Sequence, residues 1–371
     1  MCSWCLCVLV AIAFFRLFRV DSIIVVFTNL VIAISLPNFT GLYIGKYVVF
    51  LMLKRWTVDR MMISILIPVN DYDIIALVHS MRDGMKKVPE YCEILIGDDG
   101  SSPDFRNKFL QLEGSGVRVI VSEKNIGRAA IRNRLAMKAK GDHLLFIDSD
   151  AMIQGTAEAY LLKWLPMVNT ARVICGGTLY SETAPGDPDK ILRWKYGRLR
   201  EQRKASDRNK HPHSGFSTFN FLIDKSVFSK LRFNEELKQY GHEDTLLGYQ
   251  LKKAEIGVLH IDNGLIHEGL ESNREFINKT KLGIENLSHL YDKVTDKRAF
   301  ASSVRMLRAY NRLNAFRITR VLAGLYIHYR DRMEIRLDSA DPSLRLFSLF
   351  RVCLFCTYRE IHRRKVIIPI F

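Results

Sequence analysis

The sequence LLFIDSD at residues 144–150 places two carboxylates, Asp148 and Asp150, directly after an apolar run. In an extended chain, residues two apart point to the same side, so both carboxylates emerge together where a buried strand ends. Two such groups repel each other unless a cation lies between them, and oxygen ligands suit Mg²⁺ or Mn²⁺. Asp and Ser are also common in solvated turns. The pair therefore indicates either a metal site at a strand end or an ordinary turn.

The segment around this strand alternates strands with helices. From Met62 onward, the pattern predicts strands at residues 63–69, 92–97, 117–121 and 143–147. It predicts helices at 74–82 and 103–111, and a third helix that follows residues 125–128 and ends at Lys140. This spacing is typical of an α/β fold with an open, mostly parallel sheet and helices on both faces. Neither GxGxxG after the first strand nor GxxxxGK[ST] is present, which argues against dinucleotide-binding and P-loop folds.

Polar clusters follow each of these strands. They lie at residues 70–71, 98–99, 125–128 and 148–150. The carboxyl ends of parallel strands share one edge of a sheet, where α/β folds bind their ligands. Four clusters along one edge favour a binding site over four unrelated turns.

The order of these clusters resembles that of family 2 glycosyltransferases of the GT-A fold. The similar motifs are ILIPVN at 65–70, DDGS at 98–101, NIGRA at 125–129 and FIDSD at 146–150. The likeness extends over about Met62 to Lys293. It implies a glycosyltransferase domain at residues 61–293, with a nucleotide-binding half at 61–152 and an acceptor half at 153–293.

The resemblance implies a pocket for the donor's base at the start of this domain. The residues expected to shape it are Pro68 and Val69, with one of Asn70, Asp71 and Tyr72. Either Asp98 or Asp99 would accept the N–H of uracil.

The resemblance also implies how the donor's phosphates are held. Arg128 would lie near the base or the phosphates, with a surface salt bridge as the alternative. Asp148 would face the ribose or the metal, and Asp150 would hold Mn²⁺ or Mg²⁺ on the diphosphate. A cation there stabilises the negative charge that grows on the leaving group.

A second motif, GHEDT at 241–245, follows a strand predicted at 216–223 and opens a helix predicted to end near Leu251. Acidic residues in a first helical turn interact well with the helix dipole, so Glu243 and Asp244 could serve as helix caps only. However, the motif resembles the Glu-Asp pair of inverting GT-A enzymes with galactosyltransferase-like C-terminal regions. That resemblance implies that Asp244 is the base and that Glu243 orients a sugar.

His267, in LIHEG at 265–269, follows a strand predicted at 258–261. By resemblance it is a candidate third metal ligand. A hydrogen-bonded loop histidine is the alternative. An imidazole ligand would favour Mn²⁺ over Mg²⁺.

The two ends of the chain differ from this domain. Residues 1–60 contain three apolar pieces, each shorter than the ~20 residues of a membrane-spanning helix. They predict either a membrane anchor or a misassigned start, with Met61 or Met62 as the natural one. Residues 294–371 are basic and predicted to be a mainly helical extension. Its segment 305–332 suits an anionic membrane surface or a helix packed by its apolar stripe. We predict a location at the cytoplasmic face of a membrane, peripheral or N-terminally anchored.

The formal net charge of +16 over 371 residues favours an anionic partner. No aromatic-interleaved recognition motif accompanies this charge, so nucleic acid is not expected. We predict an inverting, metal-dependent glycosyltransferase of polysaccharide biosynthesis that moves a sugar from a nucleotide diphosphate, with UDP expected, to a hydroxyl of a glycan or lipid-linked glycan. The alternatives are a nucleotidyltransferase, which gives Glu243 and Asp244 no role, and a non-catalytic membrane-associated binding protein.

Overall fold

The computed structural model describes residues 62–236 and 241–364, and the backbone of four short strands within residues 25–49. Those four are β1 (Val25–Phe27), β2 (Leu30–Ile32), β3 (Leu42–Ile44) and β4 (Tyr47–Val49), paired antiparallel as β1–β2 and β3–β4. The rest of the predicted anchor or misassigned start at 1–60, and residues 365–371, lie outside the described residues. Residues 61–371 form one compact unit.

The strands and helices of this unit follow one another closely along the chain. The strands are β5 (Ile63–Val69), β6 (Tyr91–Asp99), β7 (Val117–Ser122), β8 (His143–Ile147), β9 (Ala151–Met152), β10 (Val173–Cys175), β11 (Thr178–Leu179), β12 (Asn220–Asp224), β13 (Leu259–His260) and β14 (Leu265–His267). The helices are α1 (Ile75–Met85), α2 (Pro103–Leu110), α3 (Arg128–Lys138), α4 (Ala157–Leu162), α5 (Leu165–Val168), α6 (Ile191–Tyr196), α7 (Ala205–Arg208), α8 (Lys225–Phe228), α9 (Glu243–Lys253), α10 (Asn273–Lys293), α11 (Lys297–Ser303), α12 (Arg305–Ala315), α13 (Thr319–Leu337) and α14 (Leu344–Arg364).

A seven-stranded sheet in the order β13-β10-β12-β8-β5-β6-β7 forms the centre. β12 runs antiparallel to both of its neighbours, and the other neighbouring strands are parallel. Side chains alternate between the faces of a strand, so Ile65 and Ile67 enter one apolar core while Leu66 enters the other. The predicted α/β fold, with a mostly parallel sheet covered on both faces, is confirmed.

Most predicted elements are present, with shifts at their ends. The strand predicted at 92–97 extends over Tyr91–Asp99, so Asp98 and Asp99 are its last two residues. The strand predicted from Phe216 begins only at Asn220. The basic segment 305–332 divides between α12 and α13, which are separated by a turn in which Arg317 has a φ of +59°.

A small sheet of three strands, in the order β11-β14-β9, lies after the D-x-D sequence. β14 is antiparallel to β9, with His267 opposite Ala151. Asp150 immediately precedes β9, so this pairing carries His267 across more than a hundred residues of chain to the metal-binding candidate. The structure places His267 at the end of a strand, whereas the sequence left a metal ligand and a loop histidine as alternatives.

The C-terminal helices share an apolar core with α10. Ile284 and Leu287 of α10 belong to the same buried cluster as Phe350 and Leu354 of α14. The predicted extension at 294–371 is thus helical over its described part and belongs to the same compact unit, while its boundary after Lys293 stays a prediction. No helix in the described ranges combines the length and the apolar character needed to cross a bilayer.

Candidate active site

The predicted base pocket lies where β5 and β6 end side by side. Val69 is buried and Pro68 half-buried at the end of β5. Asn70 is exposed and donates its Nδ2–H to the backbone oxygen of Asp99 at 3.1 Å. The structure therefore brings Pro68, Val69 and Asn70 to the predicted edge of the sheet.

Asp98 and Asp99 have different surroundings, although they are neighbours in β6. Asp98 is fully buried and accepts from the Ser101 N–H and from Arg106 Nε, both at 2.8 Å. Losing one partner of such a buried ion pair costs about 3–5 kcal/mol, so this carboxylate acts within the fold. Asp99 accepts from the backbone N–H groups of Ile126 and Gly127 at 2.7 and 3.1 Å. Of the two aspartates, Asp99 is therefore the better candidate for the contact with uracil, and that contact stays a prediction.

Gly100 allows the loop after β6 to approach the loop before α3. Its φ is +74°, and a Cβ there would lie 2.4 Å from the backbone nitrogen of Asn125. Only glycine accommodates both conditions. The DDGS and NIGR motifs are joined by this contact as well as by the hydrogen bonds of Asp99.

Tyr72 is the residue of the 70–72 group whose pKa responds to the D-x-D sequence. Asp71 uses its carboxylate to accept from the Ser102 N–H at 2.8 Å, which turns it toward the loop after β6. Tyr72 is half-buried, and burial, followed by the negative charges of Asp150 and Glu268, raises its pKa. The sequence left open which of these residues lines the base pocket, and the structure gives each of them different surroundings.

Asp148 is held by an arginine that sequence reasoning did not single out as a site residue. Arg132, which is 3% exposed, donates from Nη2 to Asp148 Oδ1 at 2.5 Å. Arg128 and Arg132 lie four residues apart on α3 and so share one helix face. That spacing is the signal that could have added Arg132 to Arg128.

Asp150 and His267 face each other. Asp150 Oδ2 lies 3.4 Å from His267 Nε2. Burial raises the pKa of Asp150, while His267 and, more weakly, Arg128 oppose the rise. The imidazole stacks between the rings of Tyr180 and Phe219, with centroids 5.6 and 5.4 Å away. These contacts fix the ring beside the carboxylate.

The residues present fit a divalent metal ion that takes some of its ligands from the substrate. The described ranges contain no group of three or more His, Cys, Asp or Glu side chains arranged to hold an ion. Asp150 and His267 nevertheless converge as an oxygen and a nitrogen donor, a set compatible with Mn²⁺. Asp148 is engaged by Arg132. The remaining ligands would have to come from elsewhere, and diphosphate oxygens are suitable ones.

Asp244 lies in the first turn of α9. The turn before it has Gly241 at φ +92° and His242 at +70°. Burial and the neighbouring Glu243 raise the pKa of Asp244 to about 6, against smaller opposing effects of Thr245 and Arg132. A carboxylate that served only as a helix cap would be stabilised in its charged form, and its pKa would fall. The raised pKa indicates a group that can accept a proton near neutral pH.

Asp244 lines a cavity of about 330 Å³. It is lined by Arg128 from the first turn of α3, and by Glu243 and Asp244 from the first turn of α9. Arg128 also acts electrostatically on Asp150, although neither Asp150 nor His267 lines the cavity itself. Residues predicted from separate motifs thus meet around one space.

Comparison with known proteins identifies the family of this domain. Residues 64–232 match the model of the family described as glycosyl transferase family 2. The chain carries a family 2 glycosyltransferase domain. The predicted family and enzyme class are confirmed, and the alternatives of a nucleotidyltransferase and a non-catalytic binding protein lose support. The matched range of this glycosyltransferase includes Asp99, Arg128, Asp148 and Asp150, but it ends before Glu243, Asp244 and His267.

Several solved structures are similar to this glycosyltransferase at low identity. TarS 1-349 of S. aureus is 15% identical, with 82% of this chain and 92% of that chain covered and a TM-score of 0.40. The mannosyltransferase PcManGT of Pyrobaculum calidifontis, in complex with GDP-Man and Mn²⁺, is 10% identical over 81% and 86% of the two chains, with a TM-score of 0.46. Glucosyl-3-phosphoglycerate synthase of Mycobacterium tuberculosis is 16% identical over 62% and 79%, with a TM-score of 0.40. No curated protein sequence matches the chain.

Proposed function

We propose that this glycosyltransferase is inverting and metal-dependent, and that it transfers a sugar from a nucleotide diphosphate, with UDP expected, to a hydroxyl of a glycan or lipid-linked glycan. One observation carries the proposal. Asp244, with its pKa raised to about 6, shares a cavity with Arg128, which acts on the Asp150 of the Asp150–His267 pair. The candidate base therefore shares a cavity with an arginine whose charge reaches the candidate leaving-group site.

Asp244 supplies the base that a single displacement requires. Its carboxylate takes the proton of the acceptor hydroxyl as that oxygen bonds to the anomeric carbon from the face opposite the leaving group. The bond from the anomeric carbon to the diphosphate breaks in the same step, and the nucleotide diphosphate leaves with the bonding electrons. Glu243 raises the pKa of its neighbour and lines the same cavity, where it orients a sugar.

The leaving diphosphate is held on the other side of the cavity. Asp150 and His267 would hold the divalent ion, which when bound neutralises the negative charge of the diphosphate. Arg128 adds a guanidinium in the first turn of α3. Arg132 fixes Asp148 in place, so that this carboxylate can meet the ribose or the ion.

A thermal-shift panel of nucleotide sugars, with and without Mn²⁺, tests this proposal. A ligand at 100 times its dissociation constant stabilises the folded state by about 2.7 kcal/mol, which raises Tm measurably. We expect a UDP-sugar with Mn²⁺ to give the largest shift and to be consumed when acceptor glycans are added. Pyrophosphate release from a nucleoside triphosphate, with no shift from any nucleotide sugar, would contradict the proposal.

We further propose that the enzyme works at the cytoplasmic face of a membrane, peripherally or with an N-terminal anchor. Around the turn between α12 and α13, Phe316 is 77% and Val321 is 70% exposed. Arg312, Arg317 and Arg320 are exposed in the same segment. Exposed apolar side chains among arginines suit an anionic bilayer surface.

Vesicle sedimentation tests this surface. We expect the protein to sediment with phosphatidylserine-containing vesicles and to be released when Phe316 and Val321 are both changed to Ser. Leu199, which is 69% exposed elsewhere, provides the matched control Leu199→Ser. Equal sedimentation of the double variant and the control would remove this segment from the proposal.

A further inference from the structure

The C-terminal extension completes the cavity that contains Asp244. Phe347 and Arg351 of α14 line it together with Glu243 and Asp244 of α9. They lie beyond the range that matches the family model. One wall of the cavity is thus supplied by α14 of the C-terminal extension.

Aromatic rings form the apolar part of that wall. Tyr196, Phe276 and Phe347 all line the cavity, and their ring centroids lie 5.3 to 5.5 Å from one another. Phe276 and Phe347 are buried and Tyr196 is half-buried, so this part of the lining is apolar, as it is in most small-molecule sites. The wall therefore has the character of a site for a glycan acceptor.

The other charged groups of the wall have partners of opposite charge or have a role in the reaction. Lys279 donates to Glu271 at 2.7 Å, and Glu201 accepts from Arg193 at 3.1 Å. Burial and the neighbouring Arg351 lower the pKa of His242 to about 4, so this imidazole is neutral at physiological pH.

Arg351 is the charged residue of this wall that has neither a partner of opposite charge among the described residues nor a role in the reaction. Its guanidinium lies over the rings of Tyr196 and Phe347, 5.4 and 5.8 Å from their centroids, and Nη1 donates to the Tyr196 hydroxyl at 2.7 Å. Its Nε is buried without a hydrogen-bond partner, and no carboxylate in the described ranges pairs with it. Arg351 is half-buried, and a partly desolvated charge without a counter-ion favours a ligand that supplies one.

We propose that the acceptor carries a negatively charged group, a carboxylate or a phosphate, and that Arg351 binds it at the aromatic wall. This inference rests on the proposed function, because it takes the cavity as the acceptor site. The guanidinium presents paired N–H donors, which match the oxygens of either anion. Uronic acid residues and phosphorylated sugars are the two acceptor classes with this chemistry.

Calorimetric titration of the full chain, with UDP and Mn²⁺ present, tests the inference with three probes. They are methyl β-D-glucuronide, glucose 6-phosphate and the neutral methyl β-D-glucoside. We expect at least one anionic sugar to bind about tenfold or more tightly than the neutral one, since hydrogen bonds between charged groups are the strong ones. The tighter of the two anions identifies the class. Equal binding of all three in the unaltered protein overturns the inference without any variant.

Two substitutions on α14 make the test specific. Arg351→Gln is expected to abolish the preference for the anion, whereas Arg345→Gln, which removes an exposed arginine from the same helix, is expected to keep it. Arg351→Lys retains the charge and should keep a reduced preference. A preference that survives in Arg351→Gln overturns the inference.

The binding of UDP with Mn²⁺ separates this inference from the proposed function. We expect UDP binding to be the same in Arg351→Gln and in the unaltered protein. If UDP fails to bind while the Arg351-dependent anion preference is present, the proposed function fails and the anion site stands. If UDP binds and transfer proceeds to neutral acceptors only, the proposed function stands and the anion site fails.

Discussion

Replacing Asp244 with Asn is expected to lower kcat for sugar transfer by about 10³-fold, within the range that general base catalysis contributes. The amide keeps the size of the side chain but cannot take the proton of the acceptor hydroxyl. UDP binding should be unchanged, since Asp244 lies on the acceptor side of the cavity. The measurement is steady-state transfer together with the UDP-dependent Tm shift. Asp142→Asn, at an exposed carboxylate in the turn before β8, is the matched control and should keep full activity.

The pH dependence of the same pair of proteins sharpens this prediction. The base must be ionised, so the rate of the unaltered enzyme should fall as the pH falls through about 6, the pKa to which burial and Glu243 raise Asp244. The variant should lack this step. Because the folded-state pKa lies above the ordinary value, the charged form costs stability above pH 6, and Asp244→Asn should melt no lower than the unaltered protein at pH 7.5. A variant that folds and transfers at more than a tenth of the normal rate would exclude Asp244 as the base.

Replacing Asp150 with Ala is expected to remove the Mn²⁺-dependent part of donor binding and to lower transfer by about 10²-fold or more, as loss of a group that stabilises developing charge does. Asp150 Oδ2 is the oxygen that faces His267. Burial raises its pKa, so the fold does not depend on its charge. The Tm shift caused by UDP should then be the same with and without Mn²⁺.

His267→Ala distinguishes the two interpretations of this histidine. A metal ligand predicts a weaker dependence on Mn²⁺, seen as a higher concentration for half-maximal activity. A histidine that only packs between Tyr180 and Phe219 predicts a lower Tm with the same Mn²⁺ requirement.

The Asp150→Ala variant also has an outcome that would contradict the assignment of the metal site. If the UDP-induced Tm shift of this variant still depends on Mn²⁺, the ion binds elsewhere.

The parts of the site that could be predicted are those set by local sequence. Strands β5 and β8 were predicted with their observed ends, because each is a short apolar run closed by polar residues. Asp150 and Asp244 became candidates because strand ends and helix starts have recognisable sequence. Position alone left a turn or a helix cap open in each case, and the resemblance of the motifs supplied the roles, which stay predictions.

The parts that could not be predicted depend on contacts between distant segments. Arg132 is recognised only once the chain brings it within 2.5 Å of Asp148. Arg351 joins the cavity because α14 packs on α10, a contact that the basic, mixed sequence of the tail does not reveal. Asp98 and Asp99 look equivalent in sequence, and only the burial of Asp98 against Arg106 separates them.

The stereochemistry of donor hydrolysis tests the central claim most directly, and it needs no knowledge of the acceptor. Water can replace the acceptor hydroxyl, so proton NMR of the sugar first released from a UDP-α-sugar, before it mutarotates, reports the face of attack. A single displacement with Asp244 as base predicts the β-anomer as the initial product. Initial release of the α-anomer would contradict the inverting mechanism and the role of Asp244 together.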